Sequence, residues 1–383
     1  MSATDIFASE HFRRVRQPVS EAEGLPAWCY TSEAWLAAER GRLFRPHWAC
    51  VGRADQIAAP GDYMVRSVAG ASLIVLRDRD GAVRAFANTC RHRGAELLEG
   101  DGHCRAIKCP YHSWVYGLDG TLTGAPEMEE TRDFDRGRFG LIPVRLESWA
   151  NFLFVNLDGK GPSLAAHLGD CPALHAPWSL DEMVATRRRV FEVACNWKLF
   201  IDVFMEGYHL QSVHATSLAA SYGAVDPPEP VTGEYSTLFT LNLGTVTLLQ
   251  NSNRKALPPV PGLTGRNATG TRYTLVFPNF MFAATTDCMW FFEVEPLAPD
   301  RTRVGMVSCF PRSTAARADF AELVKGYYER WDVAIEEDNA VLALQQRGLS
   351  SPFARPGRYS SQEFIVSRFA AWIAEKMAGA ASA

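Results

Sequence analysis

The sequence predicts an α+β protein: a small all-β region followed by a larger region with an antiparallel sheet and long helices. Three observations carry that prediction. From Trp48 to Asn156, short apolar runs such as Ala71–Leu76 and Phe152–Asn156 are separated by Gly, Pro and Asp turns, with hairpin signals at Asp80-Gly81 and Asp119-Gly120. Beyond residue 180, longer β runs and long helical runs follow one another without βαβ alternation. With 383 residues, 47% hydrophobic and 21% charged, the chain has enough apolar content for two cores.

In chain order, residues 32–44 read as a helix capped by Ser32, with Trp35, Leu36, Leu43 and Phe44 as its apolar stripe. Residues 1–45 form an N-terminal segment expected to pack on the larger domain, 46–157 the β domain, and 158–383 the larger domain. A Gly- and Pro-rich linker is expected at 158–180. Strands are expected at Val190–Ala194, Tyr235–Leu249, Arg272–Phe282, Met289–Val294 and Arg303–Phe310. Helices are expected at about 197–218, 315–347 and 361–377, and the Ala/Gly tail from Ala378 to Ala383 is expected to fray. The formal net charge of −4 argues against nucleic acid or an anionic membrane as the main partner. No apolar run approaches the roughly 20 residues that span a bilayer, and Met1 to Arg14 lacks the features of a signal peptide. A cytoplasmic location is therefore expected, in which the nine cysteines serve metal ligation or burial rather than disulfides.

Two constellations carry chemistry. The first is Cys90-Arg91-His92 with Cys109-Pro110-Tyr111-His112, in the β domain. Two Cys and two His in paired loops can bind zinc or a 2Fe–2S cluster. Zinc fingers of this composition place both Cys together and both His together. Here each loop offers one thiolate and one imidazole, which suits a cluster with thiolates on one iron and imidazoles on the other. The second is NWKLFIDVFMEGYHLQSVH, residues 196–214. On an ideal helix Glu206 and His209 share a face, whereas His214 lies about 140° from His209. A metal shared by both histidines requires the helix to break or tighten between them. Two histidines and one carboxylate make the facial triad of non-heme iron oxygenases, with positions left open for dioxygen and substrate.

CRHRG at 90–94, CPYHSWVYGLDG at 109–120 and the string at 196–214, in that order, resemble the Rieske non-heme iron oxygenase α (terminal) subunits. The resemblance extends from about Phe44 to Trp372 and includes VFPNFMF at 276–282 and PGRYSSQEF at 356–364. It implies a Rieske all-β iron–sulfur domain and a catalytic domain whose antiparallel sheet grips a long helix. It also implies a 2Fe–2S cluster on Cys90, His92, Cys109 and His112, and a mononuclear Fe(II) on His209, His214 and a late carboxylate. Glu337-Asp338-Asn339, followed by Gln346-Arg347-Gly348-Leu349, points to Asp338, with Glu337 as runner-up. Respiratory-chain Rieske proteins carry an extra cysteine in each loop; those positions are Ala95 and Tyr111 here, and a serine of that branch is Trp114. Fewer hydrogen bonds to sulfur should lower the cluster potential and favour the oxygenase branch.

In the family an acidic residue at the place of Glu206 links the two metal centres across a subunit interface. Many ring dihydroxylases have Asp there, and Val203 stands where many have Asn. Asp202 is a second acidic candidate. Tyr222, Phe239, Tyr273, Phe280, Phe282 and Trp290 are candidates for a substrate pocket, though strand alternation should turn only half of them inward. Aromatic walls suit a flat ring or a methylated ammonium. No dinucleotide fingerprint is present, so electrons are expected from NAD(P)H through a separate reductase, directly or through a ferredoxin. The resemblance further implies a homotrimer, with or without a β subunit. The expected reaction is hydroxylation or demethylation of a small polar or N-methylated compound with dioxygen, leaning to monooxygenation because of Glu206. Aromatic cis-dihydroxylation is the alternative. Outside the class stand a Rieske electron carrier with one metal site and a colourless zinc-stabilised binding protein.

Overall fold

Short apolar runs punctuated by turn residues become ten strands in the computed structural model, which describes residues 5–378. They are β1 Ala49–Arg53, β2 Asp62–Val68, β3 Ala71–Arg77, β4 Val83–Ala87, β5 Asp101–His103, β6 Ile107–Lys108, β7 Val115–Tyr116, β8 Leu122–Gly124, β9 Pro143–Trp149 and β10 Phe152–Asn156. Seven form one sheet, in the order β1-β10-β9-β4-β3-β2-β5, and β6-β7-β8 form a second. Both hairpin signals hold. Gly81 and Gly120 each take φ of +84°, a conformation only glycine adopts cheaply. A Cβ at Gly120 would also lie 2.5 Å from the Phe86 ring. Ile74, Leu76 and Phe86 of the larger sheet share a core with Ile107, Tyr116 and Leu122 of the smaller one, and Cys90 and Cys109 are buried in it. These strands all belong to one unit, Phe44–Leu164.

The second unit joins the chain through Leu43 to the chain from Ala165 onward. Its sheet comprises β11 Met183–Val193, β12 Tyr222–Val225, β13 Tyr235–Asn242, β14 Gly270–Val276, β15 Phe280–Ala284, β16 Met289–Ala298 and β17 Arg301–Pro311. The order is β11-β17-β16-β15-β14-β13-β12, antiparallel at every pairing. Its helices include α1 Glu33–Glu39, α2 Trp197–Phe204, α3 Leu210–Val213, α4 Phe320–Leu349 and α5 Phe364–Met377. Every residue of β14 and β15 is buried, because helices cover both faces. On one, Trp331 of α4 packs against Trp290 and Phe310. Elsewhere Phe369 and Trp372 of α5 pack on Phe277.

Several boundaries differ from the sequence expectation. Residues 32–44 are not one helix: Ser32 caps α1 through Trp35 N, and the run widens into a π-type turn at Arg40–Phe44. The expected strand Arg272–Phe282 is two strands, split by a turn at Phe277-Pro278-Asn279. Tyr235–Leu249 stops at Asn242, ahead of Gly244 with φ of +110°. The expected linker contains two short helices, Leu164–Leu168 and Cys171–His175. There the buried residues Leu164, Leu168, Cys171 and Trp178 outweigh the Gly and Pro content. Residues 379–383 of the Ala/Gly tail lie outside the described residues, among which no helix is long and apolar enough to cross a membrane.

The Asn-Trp-Lys stretch at 196–198 anchors the start of α2. Asn196 Oδ1 accepts from Lys198 N, and its Nδ2 donates to the carbonyls of Tyr30 and Pro299. Glu39 of α1 accepts from Trp35 Nε1, Trp197 Nε1 and Lys198 Nζ at 2.7–2.8 Å. With Glu39 0% and Lys198 1% exposed, neither charge has water to fall back on. Glu39→Gln should therefore destabilise folding by about 3–5 kcal/mol, measured by denaturant unfolding; Glu39→Gln with Lys198→Met should cost less than Glu39→Gln alone.

Candidate metal centres

Cys90 and Cys109 each open a loop closed by a reciprocal pair of backbone hydrogen bonds. Cys90 N donates to Ala95 O and Gly94 N to Cys90 O, at 2.8 and 3.0 Å. Cys109 N donates to Trp114 O and Ser113 N to Cys109 O, at 2.8 and 3.2 Å. The loops thus present one buried thiol and one imidazole each. The His92 and His112 rings meet edge to face at 4.6 Å, and His92 stacks on Trp114 at 4.9 Å. Nδ1 of both histidines is buried without a hydrogen-bond partner, the state expected of imidazoles whose partner is a metal. The four residues therefore fit a cluster with two thiolate and two imidazole ligands. His103, in the same segment, instead pairs at the surface with Asp62.

One hydrogen bond to sulfur survives the loss of the serine. Tyr116 OH accepts from Arg91 N at 3.0 Å and lies 3.3 Å from Cys90 Sγ, so its proton is free to point at a thiolate. Removing it destabilises the more negative, reduced state. Tyr116→Phe should lower the cluster midpoint potential, read by redox titration with the visible spectrum otherwise retained.

The second centre is built from three elements. α2 ends at Phe204, and Glu206 lies beyond it rather than on a shared helix face with His209. Its Oε2 accepts from the N–H of both Tyr208 and His209, so it caps the turn that begins α3 and competes with continuation of α2. This break swings His214 round to meet His209. Their rings lie 5.2 Å apart. Asp338, from α4, places Oδ1 3.0 Å from His214 Nε2 and 3.7 Å from His209 Nε2. One ligand atom from each of the three falls within 4.8 Å of the others, and Asp338 Oδ1 is buried without an aligned donor. Each Nδ1 is held from behind: His209 by Glu206 at 2.5 Å, His214 by Glu337 at 2.6 Å. That backing fixes the tautomer and turns both Nε2 atoms toward the common point. Burial alone would depress His214, but Asp338 and Glu337 outweigh it and hold the imidazole above its ordinary value. Donor types, convergence and backing all fit a two-histidine, one-carboxylate iron site.

A cleft opens on this triad. Tyr222, Tyr273 and Trp290 line it as expected from the sequence. Phe239, Phe280 and Phe282 do not. The cross-strand row Leu238–Tyr273–Ala283–Trp290 faces the cleft, and the three phenylalanines occupy alternate positions on the opposite face. There Phe239 lies under Arg266, and Phe282 packs on His175 and Phe280. Asp202 lines a second cleft together with Glu206 and His209. Burial, reinforced by Glu206 and Glu363 against the opposing Lys198, pushes the Asp202 carboxyl well up. Glu206 and His209 line both clefts.

Residues 180–379 match the model of the ring-hydroxylating alpha subunit catalytic domain. The chain belongs to the ring-hydroxylating alpha subunits. Residues 47–135 match the Rieske [2Fe-2S] domain, on the stretch that carries both Cys/His loops. The carnitine monooxygenase oxygenase subunit of Escherichia coli K12 is 36% identical over 203 residues, 51% of this chain and 53% of that protein. The chain thus spans about half the length of the carnitine monooxygenases it matches. The glycine betaine monooxygenase oxygenase subunit of Chromohalobacter salexigens is 29% identical, over 92% of this chain and 85% of that protein. Among solved structures, the quaternary ammonium Rieske monooxygenase CntA in complex with L-carnitine superposes with a TM-score of 0.77. It is 25% identical, covering 93% of this chain and 96% of that one.

This alpha subunit also uses residues that sequence reading passed over. Phe204 meets Tyr273 at 5.4 Å and Trp290 at 6.5 Å, while Tyr273 and Trp290 lie 6.1 Å apart, all near right angles. The three rings form an apolar corner in the triad's cleft. Arg330 and Ala334 line the same cleft as Asp338. Their i, i+4, i+8 spacing on one helix is the signal that marks them.

Proposed function

We propose that the chain is the terminal oxygenase of a multicomponent monooxygenase that hydroxylates, and so demethylates, a small N-methylated quaternary ammonium compound. The observation that carries the reading is the triad of His209, His214 and Asp338, backed by Glu206 and Glu337 and opening onto an aromatic corner. Bound in their sites, a 2Fe–2S cluster would supply single electrons and a mononuclear iron would activate dioxygen beside the substrate. Cys90, His92, Cys109 and His112 would hold the first, and the triad would hold the second. Phe204, Tyr273 and Trp290 receive the methylated cation through their ring faces, and their apolar surface keeps bulk water from the reacting methyl group. One dioxygen oxygen enters the C–H bond and the other leaves as water, with two electrons from NAD(P)H delivered by a separate reductase. The hydroxymethyl–nitrogen bond then breaks to release formaldehyde and the demethylated amine. Similarity to carnitine and glycine betaine monooxygenases supports this substrate class.

Glu206 lies in the wall between the two clefts and binds His209, which suits a link between this iron site and a cluster brought by a neighbouring copy. We therefore read the assembly as a homotrimer. The test is oxygen uptake with a generic reductase and NADH, over a panel of quaternary ammonium compounds and aromatic acids. Formaldehyde rising in step with oxygen is the expected result. A cis-dihydroxylated ring without formaldehyde would overturn the reading.

A further inference from the structure

We propose that Arg330 selects substrates carrying a carboxylate beside the methylated ammonium, so that the enzyme prefers compact zwitterions over purely cationic amines. The inference rests on the oxygenase reading of the same cleft and adds its second recognition point. Arg330 lines the cleft and is only 5% exposed. Its Nε donates to Val246 O at 3.0 Å and its Nη2 to Tyr222 OH at 2.7 Å. The Trp290 ring lies 5.5 Å from the guanidinium carbon. Among the described residues no carboxylate pairs with it, and Nη1 has no protein partner. Three other arginines of this unit show the contrast: Arg187, Arg188 and Arg272 each reach an aspartate or glutamate within 2.7 Å.

A buried cation without a counter-charge is costly. Two neutral acceptors and one ring do not balance it. A substrate carboxylate at Nη1 would, through a charge-assisted hydrogen bond. Tyr222 OH lies 2.9 Å from Tyr273 OH, so a hydroxyl pair continues the polar surface from Arg330 toward the aromatic corner. The two ends of the cleft thus differ in sign. Asp338 and Glu206 lie at the triad end; Arg330 lies eight residues before Asp338 on α4, about 12 Å along the helix axis. A molecule with its ammonium toward the rings and its carboxylate toward Arg330 matches that polarity.

The experiment compares L-carnitine and glycine betaine with their methyl esters, which keep the ammonium and remove the negative charge. Affinity is measured by calorimetry on the holoenzyme, and formaldehyde release gives kcat/KM. The wild type should favour each acid over its ester by about 10–100-fold in both readouts. Arg330→Gln should abolish the preference by weakening the acids much more than the esters. Arg330→Lys should restore part of it, since a point charge replaces a fork. Equal handling of acid and ester by the wild type, or an unchanged preference in Arg330→Gln, would overturn the proposal. The wild-type comparison needs no variant to fold. The two readings fail separately. An Arg330-dependent preference in binding without formaldehyde would sink demethylation and leave the anion site standing. Formaldehyde from acid and ester alike would leave demethylation and sink the role of Arg330.

Discussion

Asp338→Ala keeps the absorbance of the cluster and loses both the second iron and turnover. Among the described residues, Asp338 is the carboxylate that groups with His209 and His214, one ligand atom of each lying within 4.8 Å of the others; Glu337, one residue earlier, faces the far nitrogen of His214. Its removal leaves two neutral imidazoles, too few donors to retain a divalent iron against water. The loss should exceed the roughly 10–100-fold that accompanies removal of a backing residue. Glu337→Gln provides that comparison, because it weakens the hold on His214 Nδ1 and Ser217 Oγ without removing a ligand of the iron. Iron content and oxygen uptake of the two variants, measured together, check the order. Equal effects would mean that the ligand and its support have been confused.

Glu206→Gln retains both metals and loses coupled turnover. The amide keeps one oxygen for the N–H groups of Tyr208 and His209, so the break between α2 and α3 survives. It loses the negative charge that His209 Nδ1 faces at 2.5 Å. If Glu206 couples the two centres, reduced cluster should persist in the presence of substrate and dioxygen, and rapid-mixing spectroscopy should show its reoxidation slowed by at least the 10–100-fold typical of a backing carboxylate. Normal reoxidation would assign Glu206 to capping alone.

These effects follow from residues of unequal legibility. The Cys/His loops were readable as a pattern because the two ligands of each loop lie two or three residues apart, and the loop geometry is local. The break near His209 was readable from helical arithmetic, since 140° of separation forbids a shared metal on one helix. Its cause was not, because capping by Glu206 depends on the chain turning back on itself. The pocket was half legible: alternation said that some aromatics face outward but not which, and Phe239, Phe280 and Phe282 proved to be the outward set. Phe204 and Arg330 were missed because their role appears only when α2, α4 and the sheet come together. Boundaries moved where tertiary burial overrode local composition, as in the helices formed within 158–180.

The most direct test of the account is metal and sulfide analysis of the purified chain, with spectroscopy of the reduced state. A chain carrying both centres should contain about three irons for two acid-labile sulfides, with a brown 2Fe–2S spectrum and a further iron that Asp338→Ala removes. Two irons for two sulfides in fully loaded protein would make it an electron carrier and contradict the second site; zinc without iron or colour would contradict both.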